Sequence, residues 1–263
     1  MFFFIVAKAL RKKIIIHLHS AAEPVLNSRF KFPYKFMFKY ADLSIFLAKG
    51  IGNELNNHFQ IKKSVILYNP CLNHNTNHLS KLNEKEKHIL FAGTITKKKG
   101  YHDLIQSFSI IAHRHTDWKI IFAGNGEIEN ARRLAKDLNI EEQVIFKGWV
   151  NREEIQQIFE NSSIFCLPSY TEGFPMAVLD AWAHGLPVIT TPVGGLPDVL
   201  IPGINALVFE PGDTVGLAEL LNELITSNAL RQRISEESIK LSQGTFSIAS
   251  ITKQLNEIYL SLS

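Results

Sequence analysis

The sequence predicts an α/β protein built on doubly wound parallel sheets. From residue 88 onward short apolar runs alternate with longer amphipathic stretches, the runs lack clean polar alternation, and glycine-containing turns follow several of them. Strands that are apolar throughout are those covered on both faces by helices. Strand and helix in alternation imply βαβ units with right-handed crossovers.

Strands are expected at His88–Ala92, Trp118–Ala123, Gln143–Phe146, Ser163–Leu167 and Pro187–Thr190, with helices near 101–114, 127–138, 151–160 and 175–184. Asn151 and Glu154 form a capping box for the third helix, and Gly185 suits a left-handed cap ending the fourth. Asp213 opens a helix through about Thr226, and two more helical stretches follow. Ahead of this region Ile14–Leu18, Ser44–Leu47 and Val65–Tyr68 read as strands and 49–59 as a helix. Residues 72–87 are polar and aperiodic, as a linker would be. Met1–Leu10 is apolar, far short of the roughly 20 residues of a membrane span, and lacks a following small-residue cleavage site. It reads as a buried element of a domain.

A chain of 263 residues that is 46% hydrophobic fits one large or two modest packed domains and excludes a disordered tail. Cys71 and Cys166 lie far apart, match no metal spacing, and read as buried inert thiols, so a reducing cytoplasm is the default compartment. The net charge of +3 divides unevenly. Residues 1–40 hold eight basic side chains and the single acid Glu23, a balance of +7, which leaves −4 for the remainder. The segment 29–40 interleaves bases with aromatics. It suits either an anionic bilayer face or a half-buried helix with solvated lysines.

Ligands of open α/β sheets bind beyond the carboxyl ends of the strands, which selects the loops 93–100, 124–126, 168–175 and 191–196. In the stretch Pro168–Pro187, Pro175 is expected in the first turn of a helix. The amides around Phe174 to Ala177 would then be free for phosphate or sugar oxygens. Glu172 and Asp180 are eight residues apart, and helical spacing would separate them by roughly 12 Å. One carboxylate could hold pyranose hydroxyls while the other holds ribose hydroxyls; taken singly, each reads as a solvated acid.

The run EGFPMAVLDAWAHGLPVITT, from Glu172 to Thr191, resembles the signature of glycosyltransferase family 4, retaining enzymes of the GT-B fold. That signature has two glutamates separated by seven residues. The resemblance extends to Phe91–Ile105, similar to the family's phosphate loop, to Ala123-Gly-Asn-Gly126, and to Phe146–Val150 at its base-binding strand end. It includes Thr191–Gly195 and Gly203–Val208, and forward of these Tyr40–Ser44 and Tyr68–Leu72. It implies a complete C-terminal Rossmann-like domain over 88–245, a partial N-terminal one over 1–72, a linker at 73–87, and a C-terminal helix in 246–263 packing back toward the N-terminal part.

On this resemblance Lys99 would neutralise a diphosphate leaving group, Glu172 would contact the donor sugar and Asp180 the ribose. Gly93, Thr94, Gly124, Gly126, Trp149, Val150, Gly173, Phe174, Pro175 and Met176 would complete the donor site. His19 would face the donor sugar from the other domain, whereas His17 is expected on the opposite strand face without a role. The implied activity is a hexosyltransferase-like transfer from a UDP-, GDP- or dTDP-sugar to a glycan or lipid-linked acceptor, in the cytoplasm or at the inner face of a membrane. No metal, other cofactor or nucleic acid is implied.

The sequence departs from the pattern where Thr94 replaces the phosphate-loop arginine, losing a bidentate guanidinium. Asp180 is shorter than glutamate by one methylene. The chain also starts close to the histidine strand, so relative to the family it is expected to lack the first N-terminal βα units and to be inactive by itself. That leaves open a silent nucleotide-sugar-binding subunit. A dinucleotide-dependent oxidoreductase, suggested by Gly124-Asn-Gly126, lacks the third glycine because position 129 is Glu.

Overall fold

The computed structural model describes residues 2–29, 31–71 and 85–262. Most of the expected linker, residues 73–84, lies outside the described residues.

The larger layer is a six-stranded parallel sheet in the order β6-β5-β4-β7-β8-β9. Its strands are β4 (His88–Ala92), β5 (Lys119–Ala123), β6 (Val144–Gly148), β7 (Ile164–Leu167), β8 (Val188–Thr190) and β9 (Leu207–Val208). The central strands are apolar because both faces are covered: Ile89, Leu90 and Phe91 of β4 are fully buried, as are Ile164, Phe165 and Cys166 of β7. Helices α5 (Tyr101–Ile111), α6 (Ile128–Asp137) and α9 (Thr214–Thr226) pack together. Across the sheet run α7 (Arg152–Asn161), α8 (Met176–Ala183) and α10 (Asn228–Gln243), as right-handed crossovers require. The Asn151–Glu154 capping box forms in full at α7, Asp213 caps α9 by accepting from the Gly216 amide, and Gly185 is left-handed after α8.

The smaller layer is the parallel sheet β1-β2-β3, with β1 (Ile15–Leu18), β2 (Leu43–Phe46) and β3 (Ser64–Ile66). Helices α2 (Ala22–Leu26), α3 (Lys31–Tyr40) and α4 (Lys49–His58) connect them. The C-terminal helix α11 (Ile248–Leu260) returns to this sheet, packing Ile251, Leu255 and Ile258 with Leu43, Ile45 and Leu67. Phe246, in the turn before α11, joins the two layers. Its ring lies 5.7 Å from Tyr68, 5.9 Å from Phe174 and 5.6 Å from Trp182.

The first segment departs from expectation. Helix α1 (Phe2–Ala9) is not a buried element: Phe2 is 73% and Phe3 84% exposed, and Phe4 alone is buried, against Phe36. Apolar composition called for burial, but only one side of this helix meets the described fold. α3 presents Lys31, Lys35 and Lys39 to solvent while Phe38 fills the core.

Candidate active site

Strand order reverses between β4 and β7, so the loops leaving these strands diverge and open a crevice. After β4, Gly93 and exposed Thr94 lead into a 3-10 turn, Lys97–Lys99, closed by Gly100 at φ 72°. A Cβ on Gly100 would stand 1.9 Å from the Pro168 carbonyl oxygen, so only glycine permits both the left-handed turn and the contact. The Tyr170 amide donates to the Lys98 carbonyl at 2.8 Å along the same seam.

This seam brings Lys99 and Glu172 together. Lys99 Nζ donates to Glu172 Oε1 at 2.6 Å, and Ser169 Oγ donates to the same oxygen at 2.6 Å. Glu172 is only 8% exposed, and a carboxylate withdrawn from water needs such a cation and hydroxyl. Thr191 Oγ1 donates to the Ser169 carbonyl at 2.5 Å, tying the end of β8 to the cluster. Behind it Asp103, buried in the first turn of α5, lies 3.2 Å from His102 Nε2. Burial and then the Asp103 carboxylate push the Tyr170 phenol above its ordinary value, and the Tyr170 and His102 rings stack at 5.9 Å.

A cleft of about 360 Å³ separates this cluster from the N-terminal layer, lined by Ala21, Glu23, Gly50, Glu54, Thr171 and Glu172 among others. Lys98 and Glu23 approach to 3.8 Å across the layers. A Cβ on Gly173 would lie 3.3 Å from the Ala21 nitrogen, so the chain just beyond β1 rests on the Glu172 loop. His19 is exposed beside that turn. His17 does not take the opposite face: its ring lies 4.0 Å from that of His19, because residues two apart on a strand share a face. Burial and the neighbouring His19 lower the His17 pKa.

The other expected donor residues separate into groups. The turns holding Gly93 and Gly124 to Gly126 run side by side, with the Ile95 amide donating to Asn125 and the Glu127 amide to Ile95, at 2.8 and 2.7 Å. Pro175 is the N-cap of α8 rather than a residue of its first turn, and Met176 begins the helix, 39% exposed. The Phe174 ring turns inward, 5.3 Å from Tyr68. Residues 172–175 lie outside α8, so the helical spacing expected between Glu172 and Asp180 does not apply. Asp180 Oδ1 is buried without a hydrogen-bond partner among the described residues, and burial lifts this carboxyl to about 6. The same burial, with the Asp180 charge, pushes the Cys71 thiol to about 12. Trp149 is 73% exposed and, with Val150, lines a second groove of about 390 Å³ along α7, apart from the Glu172 cleft.

Sequence reasoning did not single out Ser169, Asp103 or Tyr170. Their roles arise from contacts between the ends of β4 and β7, and no local spacing announces them. Among the described residues no group of three or more His, Cys, Asp or Glu side chains is placed to hold a metal ion, and no helix is long and apolar enough to cross a membrane.

Residues 76–241 match the family model for glycosyl transferases group 1. An uncharacterized glycosyltransferase of Haemophilus influenzae is 32% identical over 187 residues, covering 70% of this chain and 52% of that protein. The capsular polysaccharide biosynthesis glycosyltransferase CapM of Staphylococcus aureus is 31% identical over 187 residues, covering 68% and 49%. The chain therefore spans about half the length of these relatives. Among solved structures, HepE of Anabaena in complex with UDP superposes with a TM-score of 0.86 at 19% identity, over 98% of this chain and 74% of that one.

Proposed function

We propose that this chain, which belongs to the group 1 glycosyl transferases and has the GT-B fold, serves a retaining transfer of the family 4 kind. A sugar would move from a nucleoside diphosphate donor to a hydroxyl of a glycan, capsule or lipid-linked acceptor. The observation that carries this reading is buried Glu172, held by Lys99 and Ser169 at the switch point of the larger sheet.

In this reading Glu172 holds hydroxyls of the donor sugar while the Lys99 ammonium meets the diphosphate, where negative charge grows as the glycosidic bond breaks. Asp180 takes the ribose, whose hydroxyls would satisfy the buried Oδ1. The amides near Met176 and the turns at Gly93 and Gly124 bind phosphate oxygens. The acceptor oxygen bonds to the anomeric carbon on the face the diphosphate leaves. The departing oxygen keeps the bonding electrons, and the acceptor's proton passes to the leaving phosphate. His19 faces the sugar from the N-terminal layer, and no metal is required. The relative named for capsule synthesis and the neighbour solved with UDP both support this class of donor and acceptor. The lysines of α3 and the exposed aromatics beside them would hold the protein against an anionic membrane.

Thr94 favours a second reading, a nucleotide-sugar-binding protein without turnover, because the resembled phosphate loop carries an arginine there. Calorimetry with UDP, GDP and dTDP, followed by donor turnover assays, tests both. Binding weakened about tenfold by Lys99→Met, together with turnover, supports transfer. Binding without turnover selects the second reading, and no binding of any of the three nucleotides defeats both.

A further inference from the structure

Helix α4 begins without a local cap. Its N-cap residue is Ala48, whose side chain can accept nothing, yet the Lys49 amide is bonded. The acceptor comes from the other layer: Lys49 donates to Asp198 Oδ2 at 2.6 Å. The Tyr68 hydroxyl donates to the same oxygen at 3.5 Å. Asp198 ends the 3-10 turn Leu196–Asp198 beyond β8, 149 residues from Lys49 in sequence. A carboxylate there satisfies an orphan amide and also meets the positive end of the helix dipole.

The turn that carries Asp198 is wedged against the Glu172 loop. The Gly195 amide donates to the Gly173 carbonyl at 2.7 Å. A Cβ on Gly195 would stand 2.5 Å from the Phe174 ring and 2.8 Å from the Ala48 Cβ. One on Gly194 would stand 2.3 Å from the Glu172 carbonyl oxygen. The Glu172–Phe174 loop, the Gly194–Asp198 turn and the start of α4 therefore meet with no room for independent movement. On the far side of the same loop, Gly173 supports the Ala21 nitrogen at the exit of β1.

We infer that Asp198 is a positioning residue: by capping α4 from across the junction, it sets the height of the N-terminal layer over the Glu172 loop. The catalytic consequence, that His19 is thereby held over the donor sugar, rests on the function proposed above; the cap itself does not. Asp198 bonds the Lys49 amide and the Tyr68 hydroxyl and acts through α4 and the loop it joins.

Hydrogen exchange read by mass spectrometry on the ligand-free chain decides the point. In Asp198→Ala a peptide covering 47–58 should exchange about tenfold faster than in the wild type, the effect of losing a cap. A peptide covering 101–111 should be unchanged. Asp198→Asn should restore protection of 47–58 to within about threefold, because asparagine caps helices nearly as well as aspartate. Equal exchange at 47–58 in the alanine variant and the wild type overturns the inference. So does a uniform acceleration of all peptides, which would mark general destabilisation, or a failure of asparagine to rescue. Calorimetry with UDP on the wild type reads the proposed function separately. Its failure would defeat donor binding and leave the exchange result to decide the cap.

Discussion

Replacing Lys99 by methionine should destabilise the protein more than replacing Glu172 by glutamine. The ordering follows from which partner lies deeper: the Glu172 side chain is 7% exposed and that of Lys99 30%. Without Lys99 the carboxylate keeps, among the described residues, the Ser169 hydroxyl on Oε1, as a charge largely out of water. Removing one partner of a fully buried pair costs about 3–5 kcal/mol, and an exposed pair is worth about 0–1 kcal/mol. With the lysine end open to solvent, about 2 kcal/mol is expected for Lys99→Met. Glu172→Gln keeps an acceptor for Ser169 and frees the ammonium to turn into water on its flexible stem, at about 1 kcal/mol. In a domain of this size each kcal/mol moves Tm by about 2–4 °C, so drops of about 4–8 °C and 2–4 °C are expected. The double variant should lose less than the sum by about 1 kcal/mol, since both changes remove one shared interaction. Thermal and urea unfolding followed by circular dichroism measure all three. Equal losses in the two single variants, or strict additivity in the double, would refute the argument.

Asp180 predicts a pH dependence of opposite sign to that of a salt-bridged acid. Its carboxyl is raised to about 6, so between about 4 and 6 the folded chain binds the proton more tightly than the unfolded one. The stability it contributes is fully present below about pH 4 and is lost as pH rises through 6. Asp180→Asn should melt with the wild type near pH 4 and above it by pH 7; parallel curves would count against this. Thr94→Arg places a bidentate donor at an exposed loop position and should raise UDP affinity about tenfold with little change in Tm. Calorimetry showing no gain would mean that this loop does not face the diphosphate. Vesicles containing an anionic phospholipid should retain the chain in co-sedimentation, and neutral vesicles should not. Charge reversal at Lys31, Lys35 and Lys39 should cut retention at least about fivefold; unchanged retention would remove the membrane proposal.

The expected strands and helices of the larger layer formed within a few residues of their expected limits. Their signals are local: unbroken apolar runs for strands covered on both faces, and caps such as Asn151 with Glu154, whose partners lie three residues apart. Period-two alternation also carried the information that His17 and His19 share a face, and the opposite reading misapplied it. The apolar composition of α1 was legible, but its exposure was not, since composition reports a preference for burial and not whether a covering surface exists.

The sequence alone determined the parallel βαβ architecture, the crevice loops, and the resemblance concentrated between Glu172 and Thr191. Backbone propensity, capping and strand burial act over a few residues, so they are written locally. Only the tertiary structure decided which loop residues act together. Lys99 meets Glu172 across 73 residues, and Asp198 caps α4 across 149. It also set Trp149 in a separate groove and left Asp180 Oδ1 buried without a hydrogen-bond partner among the described residues. Such pairings depend on how the loops of one sheet pack together, as Gly100 does on Pro168, and on how the two sheets are seated against each other, as Gly195 is on Ala48. Those separations follow from the packing of the whole chain, and no window of sequence contains them.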